Sequence, residues 1–260
     1  MRRVAALYDI HGNLPALAAV LEDVRRADVD AIVVGGDVLP GPMPRQTLDL
    51  LLDSRLPAQP IFGNGERAIL AQLAGTRTGS VTYWGTTSGN RPPDEVVDIY
   101  RWTAAKVADL EPVIASWPMT LRVPIDGLGD VLFCHSTPRS ETEAFTRLTA
   151  EEHLLPIFEP LGVPLVVCGH THMQFDRVVG STRIVNAGSV GAPFGRAGAW
   201  WLLLGPGVEL RGTPYDLEAA AARIRHTEYP QAESFAAQSV LAPPSEETML
   251  ETFARFELRP

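Results

Sequence analysis

The sequence predicts an α/β protein in which two packed β-sheets carry helices on their outer faces. In the first half, short apolar runs alternate with segments whose apolar residues recur at helical spacing, which is typical of βαβ units around a largely parallel sheet. In the second half, short strand-like runs follow one another closely, with one helical pattern between them. The chain has 260 residues, 45% of them hydrophobic, which is enough for one large core.

The first half predicts, in chain order, a strand at 4–7, a helix at 14–24, a strand at 31–34, a helix at 47–52 and a strand at 60–62. The stretch at about 76–117 interrupts this alternation with a Gly/Ser/Thr-rich start, several aromatic residues and a helical pattern from 94 to 106. We predict a helical insertion there. It forms either a partial lid near the mouth of a site or an ordinary helical layer on the outer face of the sheet.

The second half predicts a hairpin of strands 121–123 and 131–134, a helix at 151–158, and strands at 165–168, 175–179, 183–185, 199–204 and 208–211. A helical C-terminal tail is expected over about 214–260. Its amphipathic helix, at about 246–256, packs on the domain or forms a homodimer contact. We expect the whole chain, 1–260, to be a single domain.

The balance of charges limits the partners of the protein. Arg and Lys number 22 against 31 Asp and Glu, giving a net charge of −9, which argues against membrane adhesion and stable nucleic-acid binding. A phosphorylated substrate is compatible with this charge if bound cations make the local field positive. Two cysteines in predicted buried strands, and no apolar run long enough for a signal peptide or membrane span, indicate a cytoplasmic protein.

Metal-binding residue types follow four of the predicted strands. They are Asp9 and His11 after the first strand, Asp37 after the second, His135 after the 131–134 strand, and His170 and His172 after the 165–168 strand. Ligand sites of α/β sheets lie at the carboxyl ends of the strands. These side chains are therefore candidates for one metal centre.

The donor types and their number indicate which metals bind. Carboxylate and imidazole donors suit Mn, Fe, Zn or Ni better than Mg or Ca. With Asn64 there are seven candidate ligands, more than one ion needs, and two ions sharing a carboxylate would use them all. Such a pair can activate a hydroxide for in-line displacement at phosphorus. A mononuclear metalloprotein of unrelated chemistry would leave at least three ligands idle.

The order of these motifs resembles the calcineurin-like metallophosphoesterase superfamily, most closely its small bacterial and archaeal single-domain members. The motifs are Asp9-Ile10-His11-Gly12-Asn13, Gly36-Asp37, Gly63-Asn64-Gly65-Glu66, His135, Gly169-His170-Thr171-His172 and Asn186-Ala187-Gly188-Ser189-Val190-Gly191. The resemblance implies a four-layer αββα sandwich of two mixed β-sheets flanked by helices.

The resemblance also implies a role for each ligand. One metal would be held by Asp9, His11, Asp37 and His172. The other would be held by Asp37, Asn64, His135 and His170. Asp37 would bridge the two ions, and a metal-bridging hydroxide would be the nucleophile. Asp37, Asn64 and His135 are therefore the expected catalytic residues.

One position departs from the family pattern. Many members carry a histidine directly after the asparagine, often assigned as the acid for the leaving group, whereas this chain has Gly65. Since general acid assistance contributes about 10²–10⁴ in rate, we expect a preference for acidic leaving groups. Asn13, Arg67 and Arg139 are candidates for phosphate contact. The alternative for the two arginines is a surface or structural ion pair.

The predicted function is a dinuclear metal-dependent phosphoesterase with two divalent ions, Mn first and Fe, Zn or Ni as alternatives. Its substrate is a small phosphorylated molecule or nucleotide, attacked at a phosphodiester, a phosphomonoester or a phosphoanhydride. Aromatic residues of the insertion either stack on a nucleobase or pack in the core. The alternative function is a metal-binding scaffold or protein-interaction module on the same fold.

Overall fold

A computed structural model of the chain describes residues 1–53, 57–75, 93–255 and 258. The strands are β1 (Val4–Leu7), β2 (Ala31–Val34), β3 (Ala58–Pro60), β4 (Thr120–Ile125), β5 (Gly129–Cys134), β6 (Leu165–Cys168), β7 (Phe175–Val179), β8 (Thr182–Asn186), β9 (Ala199–Leu204) and β10 (Val208–Thr213). The helices are α1 (Leu14–Arg26), α2 (Pro44–Leu52), α3 (Asn64–Leu73), α4 (Asp94–Val107), α5 (Glu111–Ala115), α6 (Glu151–Phe158), α7 (Leu217–Arg225), α8 (Ala232–Phe235) and α9 (Glu246–Phe253). Short 3₁₀ turns follow α4 and α6, and a π-helical segment, Ala236–Leu241, continues α8.

The described strands form two mixed five-stranded sheets. The first has the order β10-β9-β1-β2-β3, and the second has the order β4-β5-β6-β8-β7. In the first sheet, β1, β2 and β3 are parallel; in the second, β5, β6 and β8 are parallel. The metal-binding residue types predicted from the sequence therefore follow the parallel strands of both sheets.

Strand alternation separates the core into layers. Ala5 and Leu7 of β1 pack under α1, whereas Val4 and Ala6 face the second sheet. In the second sheet, Cys134 and Cys168 pack against α6 in a separate cluster. Two sheets face each other with helices outside, which confirms the predicted αββα arrangement. Both cysteines are buried and free, as the predicted strands require.

The boundaries differ from the predicted ones at several places. The strand predicted at 60–62 is wrong by two residues, because β3 pairs with β2 from Ala58 opposite Ile32 to Pro60 opposite Val34. Ile61 and Phe62 are buried just beyond the end of the strand. Helix α2 begins three residues earlier than predicted, and α9 ends at Phe253.

The predicted insertion is described from residue 93 onward, and its segment 76–92 lies outside the described residues. Tyr100, Ala104 and Val107 of α4 join the core beneath the first sheet. The amphipathic tail helix α9 packs on the fold through Met249 and Phe253. Among the described residues, no helix combines the length and apolar character needed to cross a membrane.

Candidate metal centre

The parallel strands bring their following loops to one place between the sheets. The loops after β1 and β2 continue the strand pairing, since the amides of Asp9 and His11 donate to the carbonyl oxygens of Gly36 (3.1 Å) and Asp37 (3.0 Å). From the second sheet, the backbone amide of His170 donates to Asp9 Oδ2 at 2.9 Å. The two sheets thus meet directly at Asp9.

Asp9, His11 and His172 form one cluster of candidate ligands. Their donor atoms lie within 4.8 Å of one another. Asp9 Oδ1 is 3.3 Å from His172 Nε2, and the Nε2 atoms of His11 and His172 are 3.1 Å apart. These three residues belong to the first of the two predicted ligand sets.

A second cluster contains Asp9, Asp37 and His135, again with donor atoms within 4.8 Å. Asp37 Oδ1 is 3.5 Å from His135 Nε2, while Asp37 Oδ2 is 3.8 Å from His11 Nε2. The two carboxylate oxygens of Asp37 therefore face histidines of the two predicted sets. Asn64 Oδ1 lies 3.0 Å from His135 Nε2.

Asp9 also lies between the two ligand sets. From the sequence, this shared position was expected for Asp37 alone. Its Oδ1 atom is 3.9 Å from His135 Nε2 and 4.0 Å from His11 Nε2. The His170 ring is 5.1 Å from the His135 ring, centroid to centroid. All seven predicted ligands thus converge, and two carboxylates rather than one occupy the middle of the cluster.

The backbone at these positions is unusual. Among described non-glycine residues, six have positive φ, and five of them are predicted ligands: Asp9, His11, Asp37, His170 and His172, with φ between 47° and 66°. Left-handed conformations are uncommon for residues with a Cβ atom and concentrate at functional sites. The surrounding hydrogen bonds hold these residues so that their side chains point into the cluster.

Hydrogen bonds to backbone carbonyls orient two of the imidazoles. His135 Nδ1 lies 2.9 Å from the Gly35 carbonyl oxygen, and His172 Nδ1 lies 2.6 Å from that of Ala192. Donation from Nδ1–H leaves Nε2 with a lone pair directed at the cluster, as in metal-binding histidines generally.

The electrostatics of the cluster favour the neutral forms of His11 and His170, whereas the charge and hydrogen bonds around His172, above all from Asp9, outweigh burial and raise its pKa. Burial, followed by the charge of His172, lowers the pKa of His11 to about 3; burial and His135 do the same for His170. Burial alone would raise the pKa of Asp9, but the histidines around it, above all His172, outweigh burial and lower it to about 2. Burial and the charge of Asp9 raise the pKa of Asp37. A cation would relieve this repulsion between the two carboxylates.

The donor set fits a divalent transition metal. Asp9 Oδ1 and His170 Nε2 are buried and have no hydrogen-bond partner among the described residues. Buried polar atoms without partners are rare because each costs free energy. Neutral imidazole nitrogens and carboxylate oxygens at this spacing are the donors that Mn, Fe, Zn or Ni take in proteins.

A sequence model of the calcineurin-like phosphoesterase superfamily domain matches residues 2–204. The chain belongs to this superfamily. The hypothetical protein PH1004 from Pyrococcus horikoshii OT3 has a similar structure, with a TM-score of 0.74, 18% identity, and coverage of 94% of this chain and 100% of that one. A metallophosphoesterase from Sphaerobacter thermophilus has a TM-score of 0.65, 24% identity, and coverage of 92% and 100%. At these identities the likeness shows the fold alone. No curated protein sequence matches the chain significantly.

Within this phosphoesterase domain, Glu66 supports the Asp37 loop. Its buried carboxylate accepts hydrogen bonds from the backbone amides of Gly63 (2.9 Å), Asp37 (2.9 Å) and Leu39 (3.0 Å). Burial, followed by the charge of Asp37, raises the pKa of Glu66 to about 7. Glu66 belongs to one of the superfamily-like motifs of the sequence.

A segment after β8 supports the Asp9 loop in a similar way. Ser189 Oγ donates to the Asp9 carbonyl oxygen at 2.7 Å, and the Gly191 amide donates to the same oxygen at 3.0 Å. The Asn186 side-chain amide donates to the Gly169 carbonyl oxygen at 2.6 Å, next to His170. The motif 186–191 therefore holds the ligand loops of both sheets.

The three residues predicted to contact phosphate are engaged elsewhere. Asn13 is fully buried: its Oδ1 caps α1 at the Ala16 amide, and its Nδ2 donates to the Gly191 carbonyl oxygen at 2.9 Å. This geometry corrects the phosphate role for Asn13, because no polar atom of its side chain reaches the cleft. Arg67 pairs with Glu141 and Arg139 with Glu143, the ion-pair alternative left open for both arginines.

Gly65 occupies a position without room for a side chain. A Cβ atom there would lie 1.9 Å from the Leu39 carbonyl oxygen, and the Gly65 amide donates to Asp37 Oδ1 at 2.7 Å. The loop after β2 thus fills the space that a larger residue would need. Gly65 contributes a backbone hydrogen bond to a predicted bridging ligand instead of an acid.

A cleft of about 380 Å³ opens above the centre. Its floor includes His11, Asp37, Asn64, His170 and His172. Its upper walls come from α4 and from the tail: Glu95, Val96, Ile99, Tyr100, Tyr229, Gln231, Ser234, Phe235, Gln238, Ser239 and Phe253. The α4 part of the predicted insertion therefore both packs in the core and lines the mouth of the cleft. The sequence carried no signal for the tail residues, which are far from the ligands along the chain.

Proposed function

We propose that this superfamily member is a dinuclear metal-dependent phosphoesterase. The observation that carries the proposal is the convergence of seven side chains, four imidazoles, two carboxylates and one amide, five of which line the floor of an open cleft. We assign Asp9, His11, Asp37 and His172 to one ion and Asp37, Asn64, His135 and His170 to the other. The proposed ions are divalent transition metals, with Mn first and Fe, Zn or Ni as alternatives.

Two such ions would supply Lewis acidity toward phosphoryl oxygens and a nucleophile from water at neutral pH. The chain's own residues provide the orientation. Asp37 faces His11 with one oxygen and His135 with the other, and its backbone is held by Glu66. Backbone bonds to His135 and His172 fix the tautomer in which Nε2 carries the lone pair.

The proposed substrates are small phosphorylated molecules or nucleotides with an acidic leaving group, as diesters, monoesters or phosphoanhydrides. Gly65 supports this preference, because it cannot donate a proton to a departing alkoxide and leaves no space for a residue that could. The cytoplasmic location and the homodimer expected from the sequence stay predictions.

The test is reconstitution with Mn²⁺, followed by measurement of metal content and hydrolysis of bis(p-nitrophenyl) phosphate. We expect about two equivalents of metal and turnover, and loss of turnover in Asp37→Asn. The matched control is Asp28→Asn, because Asp28 has nearly the same backbone conformation (φ 53° against 50°) but is exposed and remote from the centre. Near-full activity of Asp37→Asn contradicts the assigned role. Stoichiometric metal without turnover across a broad phosphoester panel favours the scaffold alternative.

A further inference from the structure

We propose that the tail forms a recognition wall for a planar, uncharged organic group, of which a nucleobase is the common biological form, on a substrate with a single phosphoryl group. The recognition wall consists of Gln231, Ser234, Phe235, Gln238 and Ser239, at the N-cap of α8, on α8 and on its π-helical extension. This inference rests on the proposed function and names the substrate class for the same cleft.

The recognition wall lies outside the part of the chain that defines the superfamily. The family model ends at residue 204, whereas the wall begins at Gln231. The ligand cluster, by contrast, lies wholly within residues 9–172. Reaction chemistry and recognition of the organic group thus come from different segments, and the second segment is where this chain can differ from other members.

The chemistry of the cleft walls fits a flat group with polar edges. Phe235, together with Val96 and Ile99 of α4, is half-buried and presents apolar surface to the cleft. Gln231 and Gln238 add side-chain amides, which can donate and accept hydrogen bonds at once along the edge of a base. Serine hydroxyls at 234 and 239 have the same dual capacity. Apolar faces with donor and acceptor edges are the properties of a nucleobase.

The charges of the cleft oppose a second anionic group. Among the lining residues that the structure describes, apart from the predicted ligands, Glu95 is the only Asp, Glu, His, Lys or Arg. A further phosphate would find no cationic side chain among these described lining residues and would be repelled by Glu95. The cleft therefore favours a substrate whose one phosphoryl group sits over the metal ligands.

Aromatic packing fixes the tail relative to the centre. Phe194 stacks on the His172 ring with centroids 5.1 Å apart, and Phe253 of α9 lies 6.3 Å from Phe194. At the start of the wall, the Tyr229 ring is 6.1 Å from that of Phe235 and 5.5 Å from that of Trp102 on α4. The distance between the phosphoryl position and the wall is thereby held by packed rings.

The test compares two diesters that release the same leaving group, thymidine 5′-(p-nitrophenyl phosphate) and ethyl p-nitrophenyl phosphate. Since the bond broken is identical, the ratio of their kcat/KM values reports recognition of the organic group. We expect at least about tenfold preference for the thymidine ester. Gln238→Leu and Phe235→Leu should each lower this ratio about fivefold, through a lost hydrogen bond and a lost ring contact. The control Gln46→Leu changes an exposed helical glutamine away from the cleft and should alter neither rate.

The charge argument is tested with the thymidine ester carrying an added 3′-phosphate. We expect this phosphate to lower kcat/KM in the wild-type protein and Gln238→Arg to reverse the loss. Equal kcat/KM for the thymidine and ethyl diesters, or a preference for the added phosphate, overturns the inference while leaving the proposed function intact. If neither diester is hydrolysed, the proposed function fails. Calorimetric binding of thymidine monophosphate then decides: weaker binding by Gln238→Leu supports the wall, and unchanged binding overturns it.

Discussion

Adding one carbon atom at Gly65, by Gly65→Ala, should test how tightly the candidate metal centre is packed. An ideal Cβ atom there would lie 1.9 Å from the Leu39 carbonyl oxygen and 3.0 Å from Asp37 Oδ1. The carbonyl belongs to the backbone, and the Leu39 amide donates a hydrogen bond to Glu66, so the Leu39 carbonyl cannot simply rotate away. Gly65→Ala must therefore displace the loop after β2 or the start of α3.

Two effects of Gly65→Ala oppose each other. Replacing glycine by alanine within a helix stabilises it by at most about 1 kcal/mol. Overpacking costs about 1–3 kcal/mol, and moving the loop also strains the Gly65–Asp37 hydrogen bond. The clash should win, with a net loss of about 1–2 kcal/mol, which lowers Tm by about 2–8 °C in a protein of this size.

Thermal unfolding followed by circular dichroism measures this loss. Gly207→Ala is the matched control, because a Cβ atom at Gly207 meets nothing within 4 Å. Gly65→His extends the test to function: it should lower hydrolysis of bis(p-nitrophenyl) phosphate without accelerating that of alkyl phosphates. A Tm for Gly65→Ala at or above the wild-type value refutes the packing argument. Faster cleavage of alkyl phosphates by Gly65→His refutes the view that this loop excludes an acid.

The remaining predictions concern two topics. One is the set of residues expected from the sequence to contact phosphate, and the other is the effect of added metal. Asn13→Ala should lower the free energy of unfolding in urea by about 2–4 kcal/mol with little change in KM, since it removes a helix cap and leaves the buried Gly191 carbonyl unpaired. Arg67→Ala should destabilise the protein more than Arg139→Ala, because the Glu141 side chain is 8% exposed whereas that of Glu143 is 17% exposed and keeps its hydrogen bond from Thr137 Oγ1; equal losses would contradict this ranking. Mn²⁺ should raise Tm in a concentration-dependent way that a chelator reverses, because a ligand that binds only the folded state stabilises it; an unchanged Tm would argue against a preformed centre.

Much of the fold was predictable because burial and periodicity are local properties. β1, β6 and β9 are uninterrupted apolar runs, and their limits match the predicted ones. β3 was misplaced because Ala58-Gln59-Pro60 is a half-exposed edge strand with no apolar pattern of its own. Its position depends on pairing with β2, which the sequence of the strand does not encode.

The candidate ligands were predictable for a related reason. Metal-binding residue types at the ends of buried strands stand out in sequence, and parallel strands bring those ends together. The shared position of Asp9 was not predictable, because it depends on sub-ångström placement of His172, His135 and His11 around one oxygen. The role of Asn13 was misjudged since its partners, Gly191 and Tyr215, lie far away in the chain.

The sequence by itself determined the layered α/β architecture, the candidate ligand residues and the superfamily, since each depends on residue type, order and spacing. Tertiary structure alone decided which side chains face the cleft. In the folded chain, Asn13 is buried in the core, Arg67 pairs with Glu141, and the Leu39 carbonyl oxygen occupies the space beside Gly65. The fold also brings Gln238 of the tail over ligands more than sixty residues away. The physical reason is that exposure and contact across the sheets arise from long-range packing, which local patterns do not specify.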